Sequence, residues 1–220
     1  MSVRVRVILK TGVWIACLTP VVVLGYRAWT DDLGANPISF ITNWLGDWTF
    51  RLLLTSLALT PLRIVTGMAW QMSLRRLLGL FAFFYAALHF SVWILLDHFF
   101  NWGQMASDIV KRPYVTIGML ALTCLIPLAA TSTTGMIRRL GATNWKRLHR
   151  LVYVTAVCAA LHFLWLAKVG RTDQYVYAAL VALLLGVRAW DAVRRFLRRR
   201  AATVSGTSPA PNVTASRADL

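Results

Sequence analysis

Six stretches of this 220-residue chain carry no charged side chain: residues 11–26, 52–62, 77–96, 113–137, 151–167 and 174–187. A helix needs about 20 apolar residues to cross a bilayer, and inside hydrocarbon a spanning segment must satisfy its own backbone N–H and C=O groups. These stretches therefore predict membrane-spanning helices. The third, fourth and fifth meet or nearly meet the length unaided, and the first reaches it by extending to Trp29, with Arg27 reaching out to the interface. The second becomes a helix over about 48–66 when Arg51 and Arg63 extend to opposite faces, and the sixth continues to about Trp190. The fold expected is all-α: an integral membrane protein of six spans over residues 1–200, followed by a disordered cytoplasmic tail over 201–220, rich in Ala, Ser, Thr and Pro.

Charge tests the count. The chain holds 24 Lys and Arg against 8 acids, every one an Asp. In a soluble chain a net charge of +16 suggests nucleic acid. Here mean hydropathy is +0.59 and 58% of residues are hydrophobic, so the cations are read by position as topology signals and no nucleic-acid partner is expected. With six spans, 18 of the 24 fall in the N-terminal segment, the second loop, the fourth loop and the stretch from Arg188 onward, all on one side. Asp31, Asp32, Asp47, Asp97, Asp108 and Asp173 fall on the other, so the positive-inside rule places both termini in the cytoplasm. Trp29, Trp44, Trp48, Trp102 and Trp165 mark the outer ends and Trp14, Trp70, Trp145 and Trp190 the inner ones, as interfacial belts. The first apolar run exceeds a signal-peptide core and lacks a small-residue cleavage site, so it reads as a retained helix. Cys17, Cys124 and Cys158 sit in apolar runs without metal-ligand spacing and read as small core residues.

Two histidines lie where ionisable groups are costly. His89 is about 12 residues into the third span and His162 about 13 residues beyond His149, both on helices running outward, which places them roughly 18 to 20 Å above the cytoplasmic ends. Two neutral imidazoles at one depth can supply both axial ligands of a haem iron; alternatively, each is a buried donor bonded to a neighbouring backbone. His149 stands at the cytoplasmic mouth of the fifth span beside Lys146, Arg147 and Arg150, as a ligand, an anchor for an anionic group or an interface residue. His98, after Asp97, reads as a solvated loop residue. Arg51 lies within the outer end of a span, where it can pair with a haem propionate or extend to lipid phosphate. Arg75 and Arg76 and the cluster from Arg138 to Arg150 are topology determinants that can also hold an anionic cofactor.

Several strings, in order, resemble the MsrQ/YedZ family of haem-binding membrane subunits, part of the ferric reductase-like transmembrane proteins. They are Gly34-Ala35-Asn36-Pro37, Thr60-Pro61-Leu62, Arg75-Arg76-Leu77-Leu78-Gly79-Leu80, Arg112-Pro113-Tyr114 with Gly118, Thr131-Ser132-Thr133, Trp145 with Leu148-His149, and His162-Phe163-Leu164-Trp165 with Lys168. The resemblance covers about residues 8–200. It implies a six-helix bundle in the bacterial inner membrane with b-type haem between the third and fifth helices, bringing His89 and His162 side by side. It further implies that electrons pass from quinol, through haem and a flavin mononucleotide (FMN), to a periplasmic molybdopterin partner that reduces methionine sulfoxide in oxidised proteins. Two-haem relatives carry a further histidine about 14 positions before the first, where this chain has Arg75 and Arg76. The inner site thus uses His149 with a different ligand, or holds flavin or quinone.

The competing function is a histidine-based proton or ion transporter, which predicts carboxylates within spans and broken helices; in the six-span reading no carboxylate lies inside a span. A self-contained ferric reductase or oxidase needs a nucleotide-binding domain, and neither a GxGxxG nor a P-loop string occurs, nor does the expected sixth span leave room for such a domain. The expectation is an electron-transfer subunit without catalytic residues of its own, in which the cofactor carries the chemistry.

Overall fold

A computed structural model describes residues 3–68, 70–166 and 172–204. Among them all regular structure is helical: α1 (Val3–Trp29), α2 (Pro37–Thr66), α3 (Met72–Val92), α4 (Trp102–Lys111), α5 (Pro113–Ala130), α6 (Thr134–Leu148), α7 (Leu151–Trp165) and α8 (Asp173–Val204). The chain divides into two units, Met1–Leu184 and Leu185–Leu220, with the division inside α8. In the second unit Asp191 and Arg195 form an ion pair at 2.7 Å, one helical turn apart.

Local chemistry sets the boundaries. Asn36 caps α2 by accepting the Ser39 N–H at 3.1 Å, with Pro37 in the first helical position, where its missing N–H costs nothing. At the other end Gly67 adopts a left-handed φ of 71° and its N–H donates to the Arg63 carbonyl, a closure that glycine makes without a Cβ penalty. Asn101 and Thr133 cap α4 and α6 in the same manner as Asn36. α3 finishes in a π-helical turn over Trp93–Asp97, a local widening common near functional sites.

Prolines 20, 61 and 127 lie inside α1, α2 and α5, and membrane helices tolerate this where a neighbour satisfies the freed backbone. At Pro20 that neighbour is visible. The fully buried Tyr85 hydroxyl accepts the Val21 N–H at 3.1 Å and donates to the Cys17 carbonyl at 2.7 Å, while the Trp44 indole N–H donates to the Pro20 carbonyl at 3.1 Å. These bonds fasten α1 to α2 and α3.

Among the described residues five helices are long and apolar enough to cross a membrane, and up to six if α6 and α7, which meet at 43°, count as one bent span. Alone, the 15 residues of α7 extend only about 22 Å. The expected second span begins earlier, at Pro37, so Asp47 lies inside a helix rather than in a loop, within ion-pair reach of Arg51 at 3.9 Å. The fourth stretch, expected to run to residue 137, stops at Ala130. Both segments read as loops contain helices, α4 and α6. The tail expected from 201 is helical through Val204; residues 205–220, and Lys168 among residues 167–171, lie outside the described residues.

Within the first unit, α2 packs along α3 as a hairpin and α5 along α7, with further contacts between α3 and α5 and between α2 and α7. α1 rests on α2 and α3, and α4 on α5. The two pairs enclose two cavities.

Candidate functional site

His89 on α3 and His162 on α7 face one another across the first cavity, their ring centres 6.3 Å apart and their planes at 84°. Each ring is oriented by a backbone carbonyl from a different helix: His89 Nδ1 lies 2.9 Å from the Thr42 oxygen on α2, and His162 Nδ1 lies 2.7 Å from the Tyr114 oxygen on α5. A carbonyl can only accept, so each Nδ1 carries the proton and each Nε2 keeps its lone pair for a ligand. This is the arrangement that fixes metal-binding imidazoles in place.

The rings fit because two glycines make room. A Cβ on Gly118 would meet His162 Nδ1 at 2.8 Å, and one on Gly46 would meet His89 Cε1 at 3.2 Å. With a metal–imidazole bond of about 2 Å and about 1 Å more from nitrogen to ring centre, one ion between two rings sets their centres about 6 Å apart. The observed separation suits that span. Among the described residues no group of three or more His, Cys or acidic side chains converges on a metal position, so a bare ion would lack ligands there. A macrocycle that brings four equatorial nitrogens of its own fits the pair.

The cavity, about 320 Å³, is walled largely by apolar side chains including Phe50, Leu53, Phe90, Leu122, Leu125 and Phe163. Asp47, Asp97 and Arg112 are its charged lining. Arg51, expected near a propionate, does not line it. Its Nε donates to the Tyr177 hydroxyl at 3.0 Å and its guanidinium lies 5.1 Å from the Trp48 ring centre.

The second cavity, about 510 Å³, is lined by Arg75, Arg76, Lys146 and Arg150 around His149, with Trp145 and Tyr153. Leu53 and Leu125 line both cavities, forming a shared wall. His149 packs at a tilt of 30° against Trp145, ring centres 3.9 Å apart, with Nε2 3.1 Å from the Thr131 hydroxyl. That hydroxyl also lies 2.6 Å from the Pro127 carbonyl, to which it donates, so it accepts from His149 and leaves Nδ1 as the lone-pair nitrogen. The side chains of His89 and His149 therefore belong to different cavities, and the cations inferred as topology signals converge on the second.

His98 corrects its expectation as a solvated residue. It is buried, its Nε2 3.1 Å from Asp108 Oδ2, its Nδ1 3.2 Å from the Trp93 carbonyl, and its ring 4.5 Å from that of Trp93. Asp108 reaches on to Arg112 Nη1 at 3.2 Å. The π-helical turn carries the chain back over Trp93 and so buries a polar pair that adjacency to Asp97 made look exposed. Gly46 and the Thr42 carbonyl were likewise not singled out from the sequence. A glycine within a helical pattern is their one available signal, because it costs about 1 kcal/mol relative to Ala and so marks a close approach.

Paired imidazoles between membrane helices define a class that comparison makes explicit: residues 45–160 match the ferric reductase like transmembrane component. Proteins named "Protein-methionine-sulfoxide reductase heme-binding subunit MsrQ" are similar over most of the chain. The one from Rhodospirillum rubrum is 50% identical over 186 residues, covering 84% of this chain and 89% of its own. The one from Ralstonia nicotianae is 48% identical, covering 82% and 84%, and that from Herminiimonas arsenicoxydans 47% identical, covering 91% and 92%. The chain belongs to the MsrQ family, and is a multi-pass membrane protein.

Proposed function

We propose that this chain is the cytochrome b-type electron-transfer subunit of a protein-methionine-sulfoxide reductase system in the bacterial inner membrane. It takes electrons from the quinone pool and delivers them to a periplasmic, molybdopterin-containing catalytic subunit that repairs oxidised proteins. The observation that carries this reading is the His89/His162 pair, whose Nδ1 atoms are both committed to carbonyls at a separation suited to one iron. The relatives are named heme-binding subunits, which supports haem b as the group that fits there. When bound, haem supplies reversible one-electron chemistry.

The chain's own residues do the rest. His89 and His162 would hold the iron through their Nε2 atoms, the Thr42 and Tyr114 carbonyls hold the tautomer and would raise ligand basicity, and the apolar wall would exclude water. In the second cavity the four cations around His149 suit an anionic or carbonyl-bearing redox partner. We assign it to quinol or to the phosphate end of FMN, with Arg75, Arg76 and His149 as contacts. The Leu53/Leu125 wall common to both cavities supports transfer between them.

Sidedness is tested in membranes of known orientation. A quinol analogue should reduce the haem, and the catalytic partner added on the periplasmic face alone should reoxidise it. Reoxidation by a cytoplasmic acceptor only would overturn the route.

A further inference from the structure

We infer that Arg112 is the residue that pairs with a propionate carboxylate of the macrocycle held between His89 and His162. The inference rests on the haem reading above. A haem held by the two imidazoles would bring acidic side chains that cannot remain among Phe50, Leu122 and Phe163 without a partner. Among the described residues that line the cavity, Arg112 is the one cationic side chain, while Asp47 and Asp97 present like charge to a carboxylate. Arg51, the residue expected in this role, is turned to Tyr177 and Trp48.

The guanidinium is held in position rather than loose. Asp108, only 10% exposed in its side chain, binds Arg112 Nη1 at 3.2 Å and is itself held by His98. The Tyr114 hydroxyl makes a long contact at 3.4 Å with the same Nη1. Both contacts fall on Nη1, which leaves Nη2 and Nε to offer a carboxylate the two parallel donors an arginine fork provides. Asp108 balances part of the charge without occupying that edge. Arg112 also sits at the N-terminal boundary of α5, its side chain not spent on a capping bond, where the positive end of the helix dipole favours an anion. Two residues on, the Tyr114 carbonyl orients His162, so one short segment would anchor both the macrocycle's edge and its axial ligand.

The test uses the full-length protein purified with its haem, reading the midpoint potential by spectroelectrochemical titration and the propionate bending band by resonance Raman. Ferric haem carries one more positive charge than ferrous, so a nearby cation favours reduction. Arg112→Ala should therefore keep the low-spin spectrum, lower the potential and shift the propionate band. Arg112→Lys should restore most of the potential without the band. Arg51→Ala, removing equal charge from a residue outside the cavity, should leave both near wild type. If Arg112→Ala does not accumulate, Arg112→Gln keeps the bulk and removes the charge. Potential and band both at wild-type values in Arg112→Ala or Arg112→Gln, or an equal shift in Arg51→Ala, would overturn the assignment. A wild-type protein without low-spin haem would instead overturn the underlying ligation, and this inference with it.

Discussion

A methyl group added to Gly118 on α5 would stand 2.8 Å from Nδ1 of His162 on α7. The obstructing atom is also the one bonded to the Tyr114 carbonyl, so it cannot swing away without losing the bond that orients the ring. Gly118→Ala should therefore cost most of the haem, measured as haem per polypeptide in purified protein. Gly46→Ala, with contacts at 3.2 and 3.3 Å to His89, should cost less. Gly79→Ala, whose Cβ would meet the Ser56 hydroxyl at an ordinary 3.7 Å, should retain haem. Equal haem content in all three would dissociate the glycines from the site.

Removing either imidazole leaves no substitute, because among the described residues no cluster of metal ligands surrounds the pair. His89→Ala and His162→Ala should each abolish the low-spin spectrum of the haem between them. His149→Ala, on the far side of the Leu53/Leu125 wall, should keep that spectrum while slowing reduction by a quinol analogue at least severalfold. A wild-type spectrum in either of the first two variants would refute the ligation.

What could be read from the sequence followed from the price of charge in hydrocarbon. Charge-free runs mark α1, α3, α5 and α7 because a span excludes ions, and matched depth brings His89 and His162 to one level because α3 and α7 rise equally per residue. The same rule hid α4 and α6. Both carry charged residues, with Arg138, Arg139, Lys146 and Arg147 on α6, which buries none of its residues, so an absence-of-charge criterion reads them as loops. Asp47 was misplaced for a related reason: Arg51, one turn along α2, faces it and lowers the cost of placing it on a helix. The burial of His98 depends on Asp108, ten residues away and beyond the π-helical turn, and no local pattern encodes that return.

Tyr85→Phe should loosen α1 while sparing the haem. The hydroxyl is inserted between the Val21 N–H and the Cys17 carbonyl, groups four residues apart that can partly re-pair once it is gone. The expected loss is therefore near the low end of the cost of a buried unsatisfied group, about 1 kcal/mol, read as a lower thermal transition in detergent with an unchanged absorbance spectrum. Tyr85→Phe with wild-type stability would mean that the hydroxyl does not hold α1, which would then rest on apolar contact and the Trp44 bond to the Pro20 carbonyl.

Topology turns on whether α6 and α7 together cross the bilayer. If they do, six spans return the C-terminal end to the side of the N-terminus; if they do not, five spans leave it opposite. The charge distribution favours the first outcome. The N-terminal segment, the adjoining ends of α2 and α3 (Arg63, Arg75 and Arg76), the stretch from Arg138 to Arg150 and that from Arg188 onward hold 18 of the 24 basic residues, and only an even count gathers them on one face. Five spans would export the arginine-rich end of the chain, against the strongest known determinant of orientation. Reporter fusions after Arg200 and within residues 30–36 should therefore report opposite sides, with the first cytoplasmic. The α1–α2 connection lies one span from the N-terminus in either case, so it serves as the internal reference. Matching signals from the two fusions would establish five spans and confine α7 to one leaflet.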